Sequence, residues 1–478
     1  MLLNLTRRLF LSLPLSEDQR RAVLYRLFEL TGDRYKGLPS YQHYARQAKW
    51  RSAPLPADLL DHRAEVLNSA VAAPNEGSVS SRDDRKEALP ARTVVMISHD
   101  QGGGTEQHVN DMMFRLGREG WRTLLLQRHN SDHVRVIWRT INADRTMFYR
   151  WPTDAAAMTE DFRRLGVVLL HLHHTIDLPQ DFASQFVGAA NDLGVPFDVT
   201  LHDYFSVCPR FTMYDEGVQG YCGEPTDVRK CTACVKHHDS AAGANVDVRA
   251  WRACFGDLLN RARRVYAPDA DVAERMNRYF PGCKFAVRPH PEDHAFHQTA
   301  KPYDRVGPLK VVVIGAIGPH KGSHVVAACA TDAIRRRLPI EFHIVGFTDI
   351  DLALSRLKNV HISGAFRPPE LTARLAAGGY HIAFLPAVWP ETYSYALSDC
   401  WKHGLFTVGF DIGAIGSRLR AAPALGAVLP YEWYIRPEKV NDALLATAPN
   451  PLEADRVHAA LRRYTDISRE YYQMTFAT

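Results

Sequence analysis

The chain has 478 residues, of which 46% are hydrophobic and 23% charged, a balance that excludes a largely disordered protein. Its length predicts two or three domains, and no apolar run reaches the roughly 18–20 residues needed to span a bilayer. The net charge of +5 is too mild over this length to argue for nucleic acid. The opening MLLNLTRRLFLSLPL is apolar, but Arg7 and Arg8 break it, and it lacks the charge-first, small-residue-last order of a signal peptide. The expectation is a cytoplasmic protein, in which eight cysteines argue against a disulfide framework.

Residues 1–90 read as a helical extension and linker. Leu2, Leu5, Leu9 and Phe10 form an apolar stripe beside Arg7 and Arg8, with further arginines at 20, 21 and 26. An interfacial helix uses that combination, so peripheral contact with an anionic membrane stands beside simple docking onto the rest of the chain. Val23, Leu24, Leu27 and Phe28 continue with helical spacing, and residues 70–91 are small, polar and charged, as in a linker.

From Thr93 the pattern becomes strand, loop, helix, strand. TVVMIS is followed by the glycine run HDQGGGTEQHV, a helix, then TLLLQ; the runs VRVIW, VVLLHLH and FDVTLHDY read as further parallel strands buried on both faces. A second series starts at Lys310 with KVVVIGAIGPHKG and continues through EFHIVG, NVHISG, HIAFLP and FTVGFD. The expected fold class is therefore α/β: two Rossmann-like, doubly wound domains facing a cleft, over residues 91–290 and 291–450. A Cys-rich insertion occupies 204–240, and a C-terminal helix over 451–478 packs back toward the first domain.

Ligands of open parallel sheets lie beyond the carboxyl ends of the strands, so four post-strand loops are informative. Gly102, Gly103 and Gly104 allow a ligand close to backbone at a helix start, although the spacing is not that of a dinucleotide site. His202 ends a strand and can enter the cleft; His173 sits in an equivalent place. Gly315–Gly322 leads from strand to glycine turn to Lys321 to helix, an arrangement that can meet phosphate without being a Walker sequence. In WPETYSYALSD, Glu391 lies just beyond a strand and Asp399 eight residues on. Eight residues turn a helix by about 800°, which places an in-helix pair on nearly one face, able to take sugar hydroxyls.

Residues 93–475 resemble a retaining GT-B glycosyltransferase of family four, in its bacterial cell-surface polysaccharide branch. The signatures are SHDQGGGTEQHV and WPETYSYALSD. The resemblance implies a nucleotide-sugar donor in the second domain and a glycan or lipid-linked acceptor in the first. It places Glu391 near the donor sugar, Asp399 at the ribose hydroxyls in place of the usual second glutamate, and Lys321 at the diphosphate. Gly103, Gly104, Gly315, Thr392, Tyr393 and Ser394 would line the donor site, with His202, Glu391 and Lys321 the catalytic set. Ala316 stands where an arginine is usual, leaving His320 or Arg288 to supply the missing charge. No metal is needed at this cleft; the runs Asp269/Asp271 and Asp349/Asp351 read as chance pairs in solvated loops rather than as a metal-dependent site. A sugar-nucleotide epimerase and a catalytically silent sugar-nucleotide binder are the alternatives.

Cys208, Cys222, Cys231 and Cys234 cluster in the insertion, where four thiolates could hold a structural zinc. Reduced thiols, or a Cys231–Cys234 disulfide, are the other reading. A zinc-knuckle protein binding nucleic acid is opposed by the lack of a basic, aromatic patch near these cysteines.

Overall fold

The computed structural model describes residues 17–31, 45, 53–72, 92–139, 144–178, 181–238, 240, 246–447 and 450–474. The apolar runs become strands. Ten lie in the first half: β1 (Thr93–Ile97), β2 (Arg122–Arg128), β3 (His133–Arg139), β4 (Asp144–Arg150), β5 (Val167–Leu172), β6 (Phe197–Thr200), β7 (Tyr214–Asp215), β8 (Gly220–Tyr221), β9 (Arg264–Ala267) and β10 (Phe285–Val287). Eight of them form one sheet in the order β10-β9-β6-β5-β1-β2-β3-β4, while β7 and β8 make a separate hairpin. Every residue of β1 is buried, as expected of a strand covered on both faces.

VRVIW departs from the sequence expectation. It lies in β3, which pairs antiparallel with β2 and with β4. Only residues 129–132 connect β2 to β3. A parallel crossover needs a dozen residues or more, so the chain can only turn back.

The second half forms a six-stranded sheet from β11 (Leu309–Ile317), β12 (Ile340–Thr348), β13 (Val360–Ile362), β14 (Ile382–Leu385), β15 (Thr407–Phe410) and β16 (Gly426–Leu429). All its pairings are parallel, and the order β13-β12-β11-β14-β15-β16 is that of a dinucleotide-type doubly wound sheet. The two sheets thus lie on either side of residues 288–308, close to the domain boundary expected at 290.

Helices follow from periodicity. In Gly103–Arg118, Val109, Met112, Met113 and Leu116 are buried at i, i+3, i+4 and i+7 against the first sheet. Of the Asp-x-Asp runs, Asp269, Asp271 and Asp351 are tied into local structure, while Asp349 is exposed as expected of a solvated loop. Asp269 caps the helix Ala270–Tyr279 by accepting from the Asp271 amide, and Asp271 pairs with Arg275. Asp351 accepts from the Thr348 amide at 2.6 Å.

Of the N-terminal block, the helix Leu59–Ala72 buries Val66, Leu67 and Ala70 in the first domain's core. The Leu2–Phe10 stripe lies outside the described residues. The C-terminal segment is a helix Ala454–Ala460 followed by a π-helical turn Ile467–Tyr471, and it returns to the first domain. There Tyr471 and Tyr472 are fully buried, and Glu119 accepts from the Ser468 amide at 2.9 Å. No helix among the described residues is long and apolar enough to cross a membrane.

Candidate functional site between the two sheets

In the second sheet β11 and β14 are neighbours, and strand order reverses there. The loops leaving such a pair diverge and open a crevice. One loop, leaving the end of β11 that holds Gly315, carries Gly318–Gly322, and the other carries Pro386–Ser394. They are locked together: the Val388 amide donates to the His320 carbonyl at 3.0 Å. Gly322 has φ +81°, and a Cβ there would lie 1.9 Å from the Pro386 carbonyl oxygen, so only glycine fits. Beneath it, a Cβ on Gly346 would lie 2.0 Å from the Gly315 oxygen.

This clamp brings Lys321 and Glu391 together, Nζ to Oε1 3.8 Å, with the lysine side chain 39% exposed and the glutamate 11%. The helix Ser323–Arg336 starts directly after Gly322 with no side-chain cap; its Ser323 and Val325 amides bond back to the Gly318 and Gly322 carbonyls at 3.4 and 3.0 Å, and the positive end of its dipole lies beside Lys321. Burial of the His320 ring, with Lys321 beside it, lowers its pKa to about 3. The ring is therefore neutral at physiological pH and cannot replace a missing cation, which removes one of the two substitutes for the arginine absent at Ala316.

The facing wall belongs to the first sheet. Its strand order reverses between β1 and β5. Gly102 and Gly103 both have positive φ and start the helix Gly103–Arg118 without a side-chain cap. Gly104 faces the second domain, where a Cβ would come within 3.2 Å of the Tyr395 ring. Thr392 Oγ1 donates to the His202 carbonyl at 2.6 Å. Tyr393 donates its hydroxyl to the His290 carbonyl at 3.3 Å and to Glu292. The hydroxyls of Thr392 and Tyr393 are thus engaged by protein groups, and what this segment offers a ligand is backbone. Ser394, at φ +68°, turns the chain into the helix Tyr395–Lys402.

That helix start alters the reading of the carboxylate pair. Glu391 precedes the helix by four residues, so the helical spacing argument does not apply to it. Asp399 is inside the helix, and its Oδ1 lies 3.0 Å from Lys402 Nζ. Lys402 is also 3.4 Å from Glu292. Burial opposes the lysine's charge, but Asp399 and Glu292 together hold its pKa above the ordinary range. Glu292 accepts from Ser398 Oγ at 2.5 Å. Arg418 donates to the Tyr393 and Ser394 carbonyls at 2.9 and 3.0 Å and lies 4.4 Å from the Tyr393 ring centroid. Glu292, Lys402 and Arg418 were missed from sequence: they sit in an interdomain segment and two ordinary helices, with no motif to mark them. Asp111, on the helix Gly103–Arg118, was missed as well; burial, opposed by Arg115, pushes its pKa up to about 6.

His202 does not turn its ring freely into the cleft. Its Nε2 lies 3.0 Å from His173 Nδ1. His174, the next residue, pairs instead with Asp203 at 2.9 Å. Burial, the largest cause, together with neighbouring histidines lowers the pKa of His173, His202 and His290 well below the usual value.

The four insertion cysteines occupy one region. Cys231 and Cys234 are three residues apart on the helix Val228–His238, with Arg252 donating to the first sulfur and Arg210 to the second, both at 3.4 Å. Burial raises the thiol pKa of Cys208 to about 12 and of Cys222 to about 11. Among the described residues, the clusters whose ligand atoms lie within 4.8 Å of one another contain no cysteine. The hairpin β7–β8 of this insertion reaches the second domain, where the Tyr221 amide donates to Tyr431 Oη at 2.8 Å.

No family model matches the chain, and no curated protein matches it in sequence. Solved structures do match in fold. A sucrose-phosphate synthase from Thermosynechococcus elongatus is similar at 13% identity and TM-score 0.56, over 80% of this chain and 98% of that one. The lipopolysaccharide outer core galactosyltransferase WaaB, in its apo form, is similar at 11% identity and TM-score 0.50, over 80% of this chain and 99% of that one. The fold is that of the GT-B glycosyltransferases, two Rossmann-like sheets in one α/β chain.

Proposed function

We propose that this protein transfers a sugar from a nucleotide-sugar donor to a glycan or lipid-linked acceptor, with retention of anomeric configuration, in cell-surface polysaccharide synthesis. The observation that carries the reading is the meeting of Lys321 and Glu391 at the strand-order reversal of the second sheet, beside an uncapped helix start and facing a second sheet's loops. A departing diphosphate needs positive charge where its own charge grows, and Lys321 and the dipole of the helix Ser323–Arg336 would supply it. Glu391 is placed to take hydroxyls of the donor sugar. Retention follows if the leaving oxygen accepts the acceptor hydroxyl's proton on the same face, a step that requires positioning rather than a protein base. The fold relationship to two sugar transferases supports the reaction class, and the sequence signatures support the retaining branch.

The insertion fits this reading as a prop that the four cysteines would stabilise by taking up zinc. Burial keeps the Cys208 and Cys222 thiols protonated at neutral pH, and a bound metal would ionise them.

The test is a thermal-shift panel of UDP, GDP, ADP and TDP on the purified protein without added metal, followed by product analysis with the donor it selects. Ligand at 100-fold its dissociation constant should stabilise the chain by about 2.7 kcal/mol. No shift with any nucleotide would overturn the donor site. An epimerised donor, or binding without transfer, would replace transferase by one of the two alternatives, and an inverted product would exclude retention.

A further inference from the structure

Beneath the first domain's cleft wall, three histidines converge from three separate elements. His108 comes from the helix Gly103–Arg118, His173 from the end of β5 and His202 from the end of β6. Ring nitrogens of all three lie within 4.8 Å of one another. His173 Nδ1 and His202 Nε2 are 3.0 Å apart, and the His108 ring centroid is 5.3 and 5.1 Å from theirs.

His108 is the telling member. Its side chain has 0% exposure, and neither ring nitrogen has a hydrogen-bond partner among the described residues. A buried polar group without a partner is destabilising, so a leucine would serve this position better if packing were its only task. The surroundings are those of a fixed site. His171, 4.0 Å from the His173 ring, is held by Tyr472 Oη at 2.7 Å and Thr200 Oγ1 at 2.8 Å. His290 lies 4.0 Å from the His108 ring. The two other clusters with metal-ligand spacing, Glu341/His343/His361 and Asp215/Glu216/His238, are acid–histidine ion pairs nearer the surface, with charge partners already in place.

Three neutral imidazoles suit a borderline-soft divalent ion. Tetrahedral zinc takes nitrogen at about 2.0–2.1 Å, which sets ligand nitrogens roughly 3.3 Å apart. His173 and His202 are already near that separation, and rotation of the His108 ring closes the third side. We propose that His108, His173 and His202 bind one divalent transition-metal ion of the zinc, cobalt or nickel kind. Two of the three, His173 and His202, also line a cavity with Asp203 and Ser206. The ion fixes the His202 backbone that Thr392 grips across the cleft. Sugar transfer as proposed above does not use this ion, so the two readings stand or fall separately.

The experiment is titration of chelator-stripped, full-length protein with Co2+, comparing wild type with His108→Gln and His173→Gln after their fold is checked by circular dichroism. Wild type should bind one more equivalent than either variant, and the difference spectrum should show ligand-field bands without a thiolate charge-transfer band. Equal uptake by all three, or a difference spectrum with thiolate character, overturns the site. X-ray absorption on zinc-loaded wild type needs no variant: imidazole shells at about 2.0 Å support it, whereas sulfur ligation alone or no retained zinc overturns it.

Discussion

At the scale of single residues, the proposed transfer gives Lys321 and Glu391 different tasks and so different kinetic signatures. In that proposal Lys321 would meet diphosphate in the ground state and more strongly as charge builds on the leaving oxygen. Lys321→Ala should weaken donor binding and lower turnover by about 10²–10³, the usual cost of losing one such stabiliser. Glu391→Gln should act mainly on kcat, because it stands beside the reacting sugar. Steady-state kinetics with a defined donor check both, and near-normal transfer by Glu391→Gln would make that acid merely structural. Asp399→Asn is expected to raise the donor KM and, in addition, to cost stability, because the buried Lys402 would lose its nearest counter-charge and keep Glu292 and the more distant Asp293.

His320 supplies a pH dependence at the same scale. Its folded pKa of about 3 lies below the unfolded 6.5, so between those values the unfolded chain binds more protons. Stability should therefore fall as pH drops from 6.5 toward 3, by on the order of 3 kcal/mol from this ring once its residual exposure is allowed for. Urea denaturation at stepped pH should show a shallower decline for His320→Gln than for wild type. Parallel curves would mean that the ring titrates normally in the folded chain.

At the scale of elements, the site depends on a contact between two loops. Gly322→Ala must push a Cβ into the Pro386 carbonyl, as well as hold an L-residue at positive φ. It should cost well over the ~1 kcal/mol of the backbone term alone and displace the loop that carries Glu391. Gly307→Ala, at φ +77° with nothing within 4 Å of its Cβ, isolates that backbone term. Nucleotide-induced thermal shifts should survive in Gly307→Ala and shrink in Gly322→Ala. Equal shifts would show that the loops are not coupled.

At the scale of the whole molecule, the C-terminal segment ties the chain's end to the first sheet. Tyr464, Ile467, Tyr471, Tyr472 and Met474 pack with Met96, Val109 and Met112 in one buried cluster. Tyr471→Ala should cost about 3–5 kcal/mol in equilibrium unfolding, as large aromatic truncations in cores do. Leu352→Ala, at a site 75% exposed, should stay within about 0.5 kcal/mol of wild type. Comparable losses in the two variants would show that the tail is not part of the first domain's core.

Local pattern determined much of this. Short, unbroken, β-branched apolar runs such as VVMI and VVVI, each followed by a glycine-bearing loop, read as strands covered on both faces, and their alternation with helices made two doubly wound sheets legible in the sequence. The glycine turn before Lys321 and the acid after β14 were readable for the same reason, since both follow strands and ligands gather at strand ends. Adjacency was not readable, because it depends on strand order and on contacts between residues far apart in the chain. Four residues between β2 and β3 turned one expected parallel strand around. The start of a helix at Tyr395 took Glu391 off the face it was expected to share with Asp399. His171 meets Tyr472 across 301 positions, and no periodicity spans that distance. Sequence spacing dictates what a segment does with its near neighbours; only the folded order of the sheets decided which loops, carboxylates and imidazoles would meet.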